Sequence, residues 1–166
     1  MTFQSFKSKL FGLLKYLVLL VVISVAIDMW RSQSVPTQTS FNLKAEDINQ
    51  QWVDIEALSQ EQPVVVYFWA SWCSICQFVT PSVNWVSDYY PTVGVSLSSG
   101  ESHKLQRYFE YKQLGFANIN DPRSQLGQQW GVNVTPTIFI VRKGEIKHIT
   151  TGFTSPIGLL VRLWMS

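Results

Sequence analysis

The feature that most restricts what this chain can fold into is the run Pro63-Val64-Val65-Val66-Tyr67-Phe68-Trp69, separated by only Ala70 and Ser71 from Trp72-Cys73-Ser74-Ile75-Cys76. A continuous β-branched and aromatic run of this length is too short for a typical helix and reads as a strand buried on both faces, the mark of a central parallel strand. From Cys73 onward the apolar residues Ile75, Phe78, Val79, Val83, Val86 and Tyr89 recur at helical spacing. Pro81 falls inside that segment and is expected to kink it, since proline removes one intrahelical donor. The two cysteines therefore sit where a buried strand turns into a helix.

That position carries chemistry. Two cysteines three apart at a first helical turn can close a small disulfide and open it again with little backbone motion. Free N–H groups and the positive end of the macrodipole favour a thiolate at the first of them, lowering its pKa from about 8.5. Cys73 is the expected nucleophile and Cys76 the resolving thiol: Cys73 attacks a partner's disulfide, and Cys76 then releases the mixed disulfide. A purely structural disulfide would normally close a longer loop, which constrains the unfolded chain more. A zinc site would need four ligands, and His103 and His148 are the only other soft or borderline candidates. Both histidines are read as structural or surface residues, and no metal ligand is nominated. A Cu(I) chaperone using the two thiolates is the competing reading from another class, because sulfur ligands select that ion.

Around this core the pattern continues. Thr92–Leu97 reads as a second strand, Ser102–Leu114 as a helix, and Pro122–Trp130 as a short helix that Gly131 can end. Thr137–Arg142 and Glu145–Thr151 form a hairpin about Lys143-Gly144, Pro156–Met165 a last helix, and Phe116–Ile119 an additional short strand. The stretch from Phe41 to Val53 is the least legible. Before it, residues 32–40 have no apolar periodicity and read as a linker.

Upstream, Leu10–Ile27 is apolar except for Gly12, Lys15, Tyr16 and Ser24, with Lys7 and Lys9 before it and Asp28, Trp30 and Arg31 after it. This reads as an N-terminal transmembrane helix with Lys15 snorkelling to the interface and the lysines on the cytoplasmic side. A cleaved signal peptide ending near Ser24-Val25-Ala26 competes. The apolar run past Ala26 and the interfacial Trp30 favour the anchor, and either reading exports the rest. The expected organisation is a cytoplasmic tip and anchor at 1–31, a linker at 32–40 and one domain at 41–166. A chain of 166 residues has room for no second ordinary domain. Its net charge of +2 is scattered without a basic stripe interleaved with aromatics, and no nucleic-acid partner is implied.

The segment Val65 to Cys76, followed by Trp130-Gly131-Val132-Asn133-Val134-Thr135-Pro136-Thr137, resembles the thioredoxin superfamily. Within it the chain looks like the membrane-tethered TlpA/ResA/DsbE branch. It is most similar there to ScsD-type proteins of the suppressor-of-copper-sensitivity system, including Thr150-Thr151-Gly152-Phe153 through Val161-Arg162-Leu163-Trp164. The resemblance covers the domain from about Phe41. It implies an α/β thioredoxin fold, a central mixed sheet flanked by helices, and no cofactor beyond a redox-active Cys73–Cys76 disulfide. It also implies a cis-proline loop at Thr135-Pro136 lying against the cysteines and offering backbone hydrogen bonds to a substrate chain. Trp72, Ser74 and Ile75 complete the active-site loop, and Trp69 matches a flanking aromatic that is read as packing.

The function it implies is exchange of disulfides with exported protein thiols in the periplasm. The domain would sit at the bacterial inner membrane and draw electrons from a membrane donor of the DsbD/ScsB type, in the service of copper tolerance. Reduction of apocytochrome c cysteines is the neighbouring possibility. One position departs from the family: Tyr67 stands where thioredoxins carry a buried acid that helps deprotonate the resolving cysteine. Glu101, Glu110 and Asp121 are substitutes by residue type only. Ser74-Ile75 lacks both the histidine of DsbA-like oxidants and the Gly-Pro of thioredoxin, which leaves the direction of electron flow open.

Overall fold

The computed structural model describes Lys15, Tyr16 and residues 42–166. The expected anchor, apart from those two helical residues, and the linker lie outside the described residues. Among the described residues no helix is long and apolar enough to cross a membrane.

The domain opens with elements that the sequence did not announce. Strands β1 (Lys44–Glu46) and β2 (Trp52–Asp54) form an antiparallel pair in which Lys44 faces Asp54, and their side chains meet as an ion pair at 2.9 Å. Asp54 also caps helix α1 (Ile55–Glu61), accepting the Ala57 N–H at 3.0 Å and satisfying one of the donors that a helix start leaves open. Three-residue strands are too short to show alternation, which is why this region was illegible.

The rest follows the pattern closely. Strand β3 (Val64–Trp69), helix α2 (Ser74–Ser87) and strand β4 (Thr92–Leu97) come first, then helix α3 (Ser102–Lys112), strand β5 (Ala117–Asp121) and helix α4 (Gln125–Gln129). Strands β6 (Thr137–Arg142) and β7 (Glu145–Thr151) and helix α5 (Pro156–Trp164) complete the chain. The strand anticipated at Phe116–Ile119 begins one residue later and runs further. Helix α4 is shorter than Pro122–Trp130, because Ser124 takes a left-handed φ of 54° and the Asp121 carboxylate accepts the N–H groups of Gln125 and Gly127 at 2.8 and 3.0 Å. Helix α2 runs unbroken through Pro81.

The five-stranded sheet has the order β5-β4-β3-β6-β7, with β3 parallel to β4 and antiparallel to β6. Every residue of β3 is buried. Because side chains alternate across a strand, Val65, Tyr67 and Trp69 pack with α2, α3 and α5 in one hydrophobic core. Phe68 meets Phe139 edge-on at 5.4 Å, and α1 packs against β3 and β6.

Gly94 on β4 explains how tightly the first layer closes. A Cβ there would stand 2.6 Å from Asn118 Oδ1 and 2.8 Å from Phe116 Cε2. Gly94→Ala is expected to cost about 1–3 kcal/mol through overpacking, read as a lower urea midpoint at unchanged slope. An unchanged midpoint would show that the Asn118 side chain yields freely.

Candidate active site

The turn from β3 into α2 is braced before the first cysteine. The Ser71 N–H donates to Ser99 Oγ at 2.9 Å, the Trp72 indole N–H to the Ser98 carbonyl at 3.1 Å, and the Cys73 N–H to the Ala70 carbonyl at 3.1 Å. The loop after β4 thus holds the turn from the side, while the Trp72 ring stays 65% exposed.

Cys73 is the N-cap of α2. Its backbone is extended, with φ −81° and ψ 111°, and its sulfur accepts the Cys76 N–H at 3.2 Å, in the manner of a capping oxygen. The helix's free donors are thereby aimed at the atom where negative charge must develop. Cys73 and Cys76 are joined as a disulfide with their Cα atoms 5.3 Å apart, Cys73 keeping 7% exposure and Cys76 1%. From Val64 to Ser87 the sequence holds no Asp, Glu, Lys, Arg or His, so the first sulfur has helix donors and no side-chain cation of its own segment to favour its charge.

Thr135-Pro136 is a cis peptide, as the resemblance implied, and the Thr135 carbonyl oxygen lies 3.5 Å from Cys73 Sγ. This loop is held from both ends. The Thr137 hydroxyl donates to the Val134 carbonyl at 2.8 Å, and the Gly152 N–H donates to the Pro136 carbonyl at 2.8 Å. Ser74 and Ile75 occupy the exposed first turn of α2, and Val134, just before the cis-proline loop, is exposed. The residues that sequence reasoning nominated, Trp72, Cys73, Ser74, Ile75, Cys76, Thr135 and Pro136, are thus distributed over the α2 start and the loop before β6, the two segments that meet at Cys73.

Trp69 is packing, as its place at the strand end suggested. It is fully buried, and its indole N–H donates to Asn118 Oδ1 at 2.9 Å, while Asn118 Nδ2 donates to Ser96 Oγ at 3.0 Å. The three substitute carboxylates do not reach the resolving cysteine. Glu101 is exposed and pairs with His103 at 3.2 Å, Glu110 is exposed, and Asp121 is occupied by the start of α4. The Cys76 N–H donates to Cys73 Sγ, and the Cys76 carbonyl accepts from the Tyr67 and Thr80 hydroxyls. His148 lies in β7 opposite Ile140, away from the cysteines in sequence and sheet order, with its pKa held below the ordinary imidazole value by burial and by Arg162.

Sequence reasoning missed Thr80, Asn118 and the Ser98-Ser99 brace. Thr80 stands four residues after Cys76, a spacing that places both on one helix face, so a signal for it existed. Asn118, in a strand recognised only by its short apolar content, had none.

Residues 36–149 match the AhpC/TSA family. The chain is 33% identical over 156 residues to a thioredoxin-like protein of Haemophilus influenzae, a match spanning 93% of this chain and 92% of that one. It is 35% identical over 98 residues to a DsbE homologue, a thiol:disulfide interchange protein of Paracoccus denitrificans, covering 58% of this chain and 55% of the relative. Among solved structures, StoA of Bacillus subtilis superposes with a TM-score of 0.63 at 21% identity, over 76% of this chain and 98% of that one, a likeness of fold.

Proposed function

The chain belongs to the AhpC/TSA family and is a thiol-disulfide oxidoreductase of the DsbE/ResA/StoA type, and we propose that it works as a membrane-anchored periplasmic reductant of exported protein disulfides. The observation that carries this reading is Cys73 at the N-cap of α2, 7% exposed against 1% for Cys76, with its sulfur accepting the Cys76 N–H.

In this reading the reduced Cys73 thiolate attacks one sulfur of a substrate disulfide, forming the mixed disulfide and expelling the other sulfur as a thiolate. Cys76 then attacks Cys73 Sγ, closing the Cys73–Cys76 disulfide and releasing the second substrate sulfur. Trp72, Ser74 and Ile75 from one side and Thr135-Pro136 from the other form the surface on which the substrate chain lies. The apolar segment Leu10–Ile27 holds the domain at the inner membrane, where a donor of the DsbD/ScsB type meets it at high effective concentration. The likeness of the chain's ending to ScsD-type proteins supports a role in copper tolerance, with partner cysteines kept reduced during copper stress. The resemblance to the TlpA/ResA/DsbE branch keeps apocytochrome c thiols as the alternative substrate.

Alkylation of living cells after acid quenching tests the direction of flow. Cys73 and Cys76 are expected to be trapped mainly as the dithiol in cells with an intact membrane donor, and to shift to the disulfide when that donor is removed. A pair found mainly oxidised in both would contradict the reductant reading. A tight one-to-one Cu(I) complex of the reduced protein without disulfide turnover would replace it by the chaperone reading.

A further inference from the structure

Behind the disulfide two hydroxyls converge on one carbonyl. The Thr80 hydroxyl donates to the Cys76 carbonyl oxygen at 2.7 Å, and the Tyr67 hydroxyl lies 3.0 Å from Thr80 Oγ1 and 3.3 Å from the same carbonyl. Tyr67 and Thr80 come from different elements, β3 and α2, and both are buried. Their bonds tie the first turn of α2, and with it the resolving cysteine, to the central strand.

Neither hydroxyl is a base at working pH. The core that encloses Cys76 is built from β3, β6, α2, α3 and α5, and besides the two cysteines its titratable members among the described residues are the phenols Tyr67, Tyr90 and Tyr108. Burial pushes Tyr67 and Tyr108 above the ordinary phenol value. The charged residues of these elements point elsewhere. His103, Lys104, Arg107, Glu110 and Lys112 of α3 are exposed, and Arg162 of α5 donates to its own helix at the Gly158 carbonyl. On β6, Arg142 lies at the strand end opposite Thr137, which follows the cis-proline loop. The buried carboxylates among the described residues, Asp47 and Asp121, each accept two backbone N–H groups away from the cysteines.

We propose that Tyr67 and Thr80 are positioning residues for Cys76, a neutral hydroxyl pair that fixes the resolving thiol without deprotonating it, so that release of the mixed disulfide is the slow half of the exchange and is gated by hydroxide. This rests on the oxidoreductase reading above. In the gated step the Cys76 thiol gives its proton to hydroxide, forming water, and its electron pair forms the bond to Cys73 Sγ. The bond between Cys73 and the substrate sulfur breaks, and that sulfur leaves as a thiolate. A buried thiol far below its pKa gains thiolate about tenfold per pH unit. Resolution must follow that slope wherever no other group supplies the base.

Stopped-flow mixing of the reduced full-length protein with Ellman's reagent separates the two halves, since each releases one coloured aromatic thiolate. The wild type is expected to show a fast first phase and a slower second phase whose rate rises about tenfold per pH unit from pH 6 to 8. Thr80→Val should slow the second phase about three- to tenfold, leave the first unchanged and keep the pH slope, and Thr80→Ser should restore the rate. Tyr67→Glu, if it folds, should speed the second phase and flatten its pH profile by supplying a carboxylate. A wild-type second phase that levels off between pH 5 and 7 would overturn the inference, as would a Thr80→Val second phase within twofold of wild type. Absence of the first phase would instead defeat the exchange reading on which the inference stands.

Discussion

Replacing Cys73 with serine abolishes disulfide exchange, by at least about a thousandfold, because a hydroxyl at that position has no accessible anion near neutral pH and cannot form the mixed disulfide. Cys76→Ser behaves differently. Its first attack proceeds, one equivalent of thiol is released, and the protein stalls as a mixed disulfide that added dithiothreitol frees. The asymmetry follows from the structure: Cys73 is the cap whose sulfur receives the helix's N–H and retains 7% exposure, whereas Cys76 is 1% exposed behind it. A coupled assay with an aromatic disulfide, run on both variants, distinguishes them. Equal activity of Cys73→Ser and wild type would remove the enzymatic account altogether.

The second large effect is on stability. Trp69→Ala is expected to cost about 3–5 kcal/mol, the range for deleting a fully buried large aromatic side chain. Trp69 stacks on Tyr67 with centroids 6.2 Å apart and on Tyr108 at 5.5 Å, and it packs at a tilt on Phe109 at 6.0 Å. Its loss also strips Asn118 Oδ1 of its donor inside the core, and an unsatisfied buried acceptor costs about 1–3 kcal/mol. Trp69→Phe keeps most of the packing and isolates that smaller hydrogen-bond term. Urea unfolding measures both, as a drop in midpoint at constant slope. A loss under about 1 kcal/mol for Trp69→Ala would show that the aromatic layer beneath the cysteines does not hold the site in place.

Much of this was legible in advance because the informative segments obey a strong period. Val64–Trp69 is buried at every position, so its uninterrupted apolar run was its structural signature, and the step from that run to helical spacing located the cysteines before any coordinates. The hairpin about Lys143-Gly144 was equally plain, since both turn residues take positive φ, 54° and 73°. The elements that escaped are those held by side-chain bonds rather than by periodicity. Strands β1 and β2 rest on the Lys44–Asp54 pair and α1 on the Asp54 cap. At the site, the cysteines and the cis-proline loop were marked by motif. The partners that set Cys76, by contrast, were not marked by motif: Tyr67 lies inside an apolar strand and had no local signature, and Thr80 was marked only by its i+4 spacing from Cys76. Residue type suggested three carboxylates for that role, and tertiary placement assigned each of them elsewhere.

The most direct test of the central claim is the equilibrium reduction potential of the Cys73–Cys76 pair in the full-length protein, titrated against a dithiothreitol or glutathione couple. The account predicts a value near that of thioredoxin, about −270 mV, as befits a reductant supplied from the membrane. A value near that of DsbA, about −120 mV, would make the protein an oxidant and contradict it.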